Sequence, residues 1–78
     1  MKTRARVRRP DGRSEIVAPQ NVSRGGIGFE SDAGYALDDR VRVAMHYREG
    51  EEPLETNGVI VRVSPGVPGV NSYGVRFE

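Results

Sequence analysis

Seventy-eight residues suffice for one small domain, with a modest core and little stability to spare. The chain has no cysteine and a single histidine, His46, which excludes disulfide staples, thiolate metal sites and paired-histidine chemistry. The net charge is only +1, but residues 1–30 carry +4 and residues 31–78 carry −3, and a basic half of this kind suits an anionic partner such as a nucleotide or a nucleic acid. No apolar stretch approaches the ~20 residues needed to cross a bilayer. Met1-Lys2-Thr3-Arg4 is basic but is not followed by the apolar run of a signal peptide. A cytoplasmic location is expected.

Gly and Pro punctuate the chain at short intervals, and the hydrophobic period between them is two. Thr3 to Arg8 alternates polar and apolar residues and predicts a first strand. Pro10-Asp11-Gly12-Arg13 is a hairpin turn, and Ser14 to Ala18 resumes a strand. Pro19 marks an edge or a bulge. Ile27-Gly28-Phe29-Glu30 predicts a short third strand. Asp32 to Asp39 is a loop, with Tyr35 and Leu37 as plugs over one barrel end. Arg40 to Tyr47 predicts the fourth strand, with Val41, Val43, Met45 and Tyr47 facing one way.

Arg48 to Pro53 is an acidic turn. Thr56 to Val63 and Ser72 to Phe77 predict strands five and six, separated by the Ser64–Gly69 loop. Six short strands and no helical pattern imply an all-β fold, a small antiparallel sandwich or barrel, and closure into a barrel would remove exposed edges. No internal boundary appears, so residues 1–78 are expected to form a single domain. The expected core is Val7, Ile16, Val22, Ile27, Phe29, Leu37, Val41, Val43, Met45, Val59, Val61, Val63, Val75 and Phe77.

The densest chemistry lies in Asn21-Val22-Ser23-Arg24-Gly25-Gly26. Asn21 offers an amide donor and acceptor at a strand end. Ser23, two residues on, presents its hydroxyl on the same face. Gly25 and Gly26 permit positive φ and close approach to backbone amides, which in such turns can form an anion-binding concavity. Arg24 either adds a phosphate contact or faces solvent. A structural turn between two strands explains these six residues about equally well.

Asn21-x-Ser23-x-x-Gly26 followed by Ile27 and Phe29 resembles the motif of the PilZ domains, which bind cyclic di-GMP. Gly58 to Val63 and Tyr73 to Phe77 resemble that family's last two strands, so the resemblance runs in order along nearly the whole chain. It implies a six-stranded antiparallel β-barrel in which Asn21, Ser23 and Gly26 line a nucleotide site, with no metal, no cofactor and no membrane. The Asn amide would read a guanine edge, and Ser23 and the turn amides would meet phosphate. The family also uses two arginines separated by three residues, on an arm ahead of the first strand. Their guanidinium groups stack on guanine and fork to phosphate. Arg4 and Arg8 have that spacing. Either they serve as the pair, or the pair is absent and the chain is a truncated or degenerate member whose partner is a protein. The resemblance also implies a mechanical output, in which ligand orders the N-terminal arm and changes what a partner touches.

Other classes fit less well. No Ser-His-acid set is visible, His46 lies in a strand pattern, and an enzyme is not expected. A small-barrel nucleic-acid binder would combine a basic face with clustered aromatics, whereas Arg4, Arg6 and Arg8 alternate with Ala5 and Val7. A PilZ-type barrel acting as a protein-interaction module would use the edge near Pro19 or the acidic segment Glu49 to Glu55.

Overall fold

The computed structural model describes residues 4–46, 50 and 54–78. Every regular element among them is a strand: β1 (Ala5–Arg8), β2 (Ser14–Val17), β3 (Asn21–Ser23), β4 (Gly26–Ser31), β5 (Arg40–Met45), β6 (Glu55–Pro65) and β7 (Asn71–Phe77). They pair antiparallel in a single sheet of order β2-β1-β5-β6-β7-β4-β3. The all-β antiparallel expectation holds. The strands number seven rather than six because Asn21–Ser23, read from sequence as part of a turn, pairs with Gly26–Gly28 as a strand of its own. Thr3, Tyr47 and most of the acidic turn (Arg48, Glu49, Glu51, Glu52 and Pro53) lie outside the described residues.

The sheet curls into a half-barrel. Its two end strands, β2 and β3, are consecutive in the chain and joined by residues 18–20, with Pro19 outside either strand. The curl brings the end of β4 against β2, where the Ser31 hydroxyl donates to Glu15 Oε1 at 2.6 Å. The β1–β2 hairpin forms as its sequence requires. Gly12 takes φ 91°, its N–H bonds the Arg9 carbonyl at 3.0 Å, and Asp11 Oδ1 accepts from the Arg13 amide at 2.9 Å.

The inner face buries Ala5, Val7, Val17, Ile27, Phe29, Tyr35, Val41, Val43, Ile60, Tyr73 and Val75. Three aromatic rings form its centre: Tyr35 and Tyr73 meet edge-on with centroids 5.0 Å apart, and Phe29 lies 5.6 Å from Tyr35 and 5.7 Å from Tyr73. Pairs in this geometry add about 0.5–1.5 kcal/mol beyond the area they bury. Tyr35, expected as a plug from the loop, is buried in this cluster, with the Arg9 guanidinium 5.2 Å from its ring centroid. Leu37 is not. The Asp38 amide bonds the Ile60 carbonyl at 2.8 Å, and Leu37 is left exposed.

Two strands depart from the expected inward parity. In β2, Val17 pairs with Ala5 and Glu15 with Val7, so Val17 points inward and Ile16, opposite Arg6, is exposed. Both residues are apolar, so alternation alone could not choose between them. In β6 the register shifts between Ile60 and Arg62. Val61 is the extra residue of a bulge, which reverses parity partway along the strand. Ile60 is therefore buried opposite Val75, while Val59 opposes Arg76 and Val61 is exposed. Val22, on the edge strand β3, is also exposed, and Val63 keeps over a third of its surface in solvent. His46 does not continue β5. It sits exposed at φ 53° in the turn that ends it.

Burial, reinforced by the Glu15 carboxylate, raises the Tyr35 phenol above its ordinary value. The folded chain thus holds this proton more tightly than the unfolded chain. Stability from this group is complete below about pH 10 and is lost as pH rises above it. Tyr35→Phe is expected to flatten that alkaline fall, as read from urea midpoints between about pH 8 and 11.

Candidate functional site

The outer face of the sheet carries most of the described arginines, because the inner face is largely apolar and side chains alternate. Their partners divide that face in two. On the β1 side, the small Ala44 lies between Arg6 and Glu55 in the cross-strand row. Glu55 reaches across it to Arg6 Nη2 at 3.1 Å and to Arg8 Nε at 3.4 Å. On the β6–β7 side, Arg62 and Arg76 have no carboxylate partner among the described residues.

An open groove of about 410 Å³ lies on this second half. Its lining includes Asn21, Ser23, Gly25, Gly26 and Gly28 of the β3–β4 hairpin, Val61 and Arg62 of β6, and Gly74 and Arg76 of β7. Register explains the grouping. Asn21 pairs with Gly28, Gly28 with Gly74, and Gly74 with Arg62, so one row crosses four strands on a single face. The next row is Ser23, Gly26, Arg76 and Val59. Gly28 and Gly74 leave the middle of the first row without side chains, between Asn21 and Arg62, and Gly26 separates Ser23 from Arg76 in the second.

The motif turn has a different backbone from the one its glycines suggest. Arg24 and Gly25 form a two-residue hairpin turn between Ser23 and Gly26, and none of these residues takes a positive φ. The alternating right- and left-handed backbone of an anion-binding concavity is therefore absent here. Gly26 is required for another reason. A Cβ there would lie 1.8 Å from the Val75 carbonyl oxygen and 3.2 Å from Arg76 Cα, so β7 packs where a side chain would be. The turn is tied to the same strand by the Phe77 amide, which bonds the Gly25 carbonyl at 2.7 Å. The Ser23 hydroxyl makes one long contact to the Gly26 carbonyl, 3.4 Å, and is otherwise open to a ligand.

Of the six residues proposed from sequence, Asn21, Ser23 and Gly26 line the groove, and Arg24 sits exposed on the turn beside it. Arg4 and Arg8 are not brought there. Arg4 is exposed just before β1 and is not among the residues that line the groove. Arg8 instead lines a separate depression of about 440 Å³ with Arg9, Arg40 and Arg42. Sequence reasoning missed Arg62 and Arg76. Arg76 follows the core residue Val75 and could have been placed outward by alternation; Arg62 could not, because the Val61 bulge sets its direction. Among the described residues, no group of three His, Cys, Asp or Glu side chains is placed to hold a metal ion, and no helix is long and apolar enough to cross a membrane.

These contacts separate two adjacent glycines. Gly26→Ala is expected to destabilise the fold by about 3 kcal/mol or more, since backbone must move to admit the methyl group. Gly25, with nothing within 4 Å of its Cβ position and no positive φ, should accept Ala with no loss or a gain of about 0.4–1 kcal/mol. Denaturant unfolding of the two variants checks the contrast.

The family model for the PilZ domain matches residues 1–78, the whole chain, and the chain belongs to that family. No curated protein and no solved structure matches it.

Proposed function

We propose that this PilZ domain is a cytoplasmic sensor that binds cyclic di-GMP in the groove of Asn21, Ser23 and Gly26 and performs no chemistry on it. PilZ domains generally bind this nucleotide and act as effectors rather than catalysts. The observation that carries the reading is the groove itself. It joins the motif residues to two guanidinium groups that have no carboxylate partner among the described residues, beside the glycines at 26, 28 and 74.

One guanine edge and one phosphodiester of the ligand have counterparts in the groove. The Asn21 amide supplies a donor and an acceptor, matching the mixed edge of guanine. The Ser23 hydroxyl and the Arg76 guanidinium lie in one cross-strand row with only Gly26 between them, about two strand spacings or roughly 10 Å apart. A phosphodiester can lie between them and receive hydrogen bonds from both. Arg24, on the turn tip, adds a cation at the same end. Neutral Asn21 places no carboxylate against the dianionic ligand.

Thermal unfolding with excess cyclic di-GMP, with GTP as control, tests the reading. At about 100 times the dissociation constant, a ligand of the native state adds roughly 2.7 kcal/mol. In a domain of this size that amounts to more than about 10 °C. Ser23→Ala should weaken binding by about 1.5–3 kcal/mol. Arg8→Ala, which removes a guanidinium held by Glu55 outside the groove, should leave affinity unchanged. No shift with cyclic di-GMP, or an equal shift with GTP, would overturn the proposal.

A further inference from the structure

We infer that Arg62 is the base-stacking residue of this groove: its guanidinium, carried across Gly74 and Gly28, forms the platform for one guanine of the bound dinucleotide while Asn21 reads that base's edge. The inference rests on the cyclic di-GMP reading above and adds to it a residue of β6, outside the family motif.

The geometry at two glycines carries it. At the position a Gly74 Cβ would occupy, Arg62 approaches with Cβ at 3.2 Å, Nε at 3.5 Å and Cζ at 3.7 Å. At the corresponding position on Gly28, Arg62 Nη2 lies at 3.5 Å and Asn21 Nδ2 at 3.4 Å. The Arg62 side chain therefore runs along the sheet across Gly74, and its end and the Asn21 amide both lie beside Gly28. A Cβ at Gly74 would press on its stem, and one at Gly28 would already be in contact with its end. A planar cation held there lines the groove and has no carboxylate partner among the described residues.

A guanine is flat, electron-rich and part of a dianion. Guanidinium groups stack on such faces and also neutralise charge, which an ammonium does only as a point charge. Asn21, beside the platform, is placed to hydrogen-bond the edge of a base lying on it. The bulge at Val61 gives the arrangement its direction. Without the extra residue, position 62 would turn toward the core.

The test is titration of the purified protein with cyclic di-GMP, comparing it with Arg62→Ala, Arg62→Lys and Gly74→Ala. Ligand-free melting of each variant reports its folding. Stacking of one base is worth about 1–3 kcal/mol, so Arg62→Ala should weaken binding by roughly 5- to 150-fold. Arg62→Lys should recover little of that loss, because it keeps the charge and loses the plane. Gly74→Ala should also weaken binding with Arg62 present, because its methyl group presses on Arg62 Cβ. It provides the test should Arg62→Ala fail to fold. Affinity within about twofold of the unsubstituted protein for Arg62→Ala or for a folded Gly74→Ala, or full recovery by Arg62→Lys, would overturn this inference and leave the cyclic di-GMP reading standing. No binding by the unsubstituted protein would overturn both.

Discussion

The approach of β7 to Gly26 is the contact on which the site depends. A Val75 carbonyl sits where any side chain at position 26 would begin, so the β3–β4 hairpin can dock on the last strand only with glycine there. That docking aligns Gly28 with Gly74 and Ser23 with Arg76 across the intervening strand. The groove exists because of this alignment. The motif glycine thus serves strand packing, and its effect on a ligand is indirect: it holds Asn21 and Ser23 at fixed positions opposite β6 and β7.

A single extra residue in β6 matters almost as much. The bulge at Val61 lets one strand face Ile60 into the core and still turn both Val59 and Arg62 outward. Glycines at 28 and 74 then allow the Arg62 side chain to lie along the sheet. On the other half of the outer face, Glu55 bridges Arg6 and Arg8 across Ala44 and offsets part of that region's charge. Farther along β6 and on β7, no carboxylate among the described residues pairs with Arg62 or Arg76. One basic surface is thereby divided into a self-paired part and a receptive part. The division follows from cross-strand register and is invisible to net charge.

The aromatic cluster underneath keeps the receptive face in shape. Tyr73 belongs to β7, the strand that floors the groove, and its hydroxyl accepts the Tyr35 amide at 3.2 Å while its ring packs on Phe29 of β4. Core and site share the same two strands. Inward residues such as Ile27, Phe29, Tyr73 and Val75 pack the core, while Gly26, Gly28 and Gly74 face outward on the same two strands. In a domain with so small a core, this economy also limits how much the site strands can change without loss of stability.

Sequence by itself determined whatever depends on local period and turn chemistry. Alternation marked the strands and the all-β class, Gly12 and Asp11 marked the first hairpin, and Asn21, Ser23 and Gly26 were identified by their own residue types. The tertiary structure decided what depends on parity and on neighbours remote in sequence. Ile16 and Val17 are both apolar, so only pairing with β1 shows which one is buried. A bulge carries no residue-type signal in a run such as Val59-Ile60-Val61, so Arg62 could not be assigned to the groove. Arg4 and Arg8 have the spacing of a clamp, yet spacing along a strand does not tell how many strands separate it from the turn. Side-chain alternation is a property of one strand, whereas a binding groove is a property of several strands in register. Hydrogen-bond pairing across the sheet sets that register.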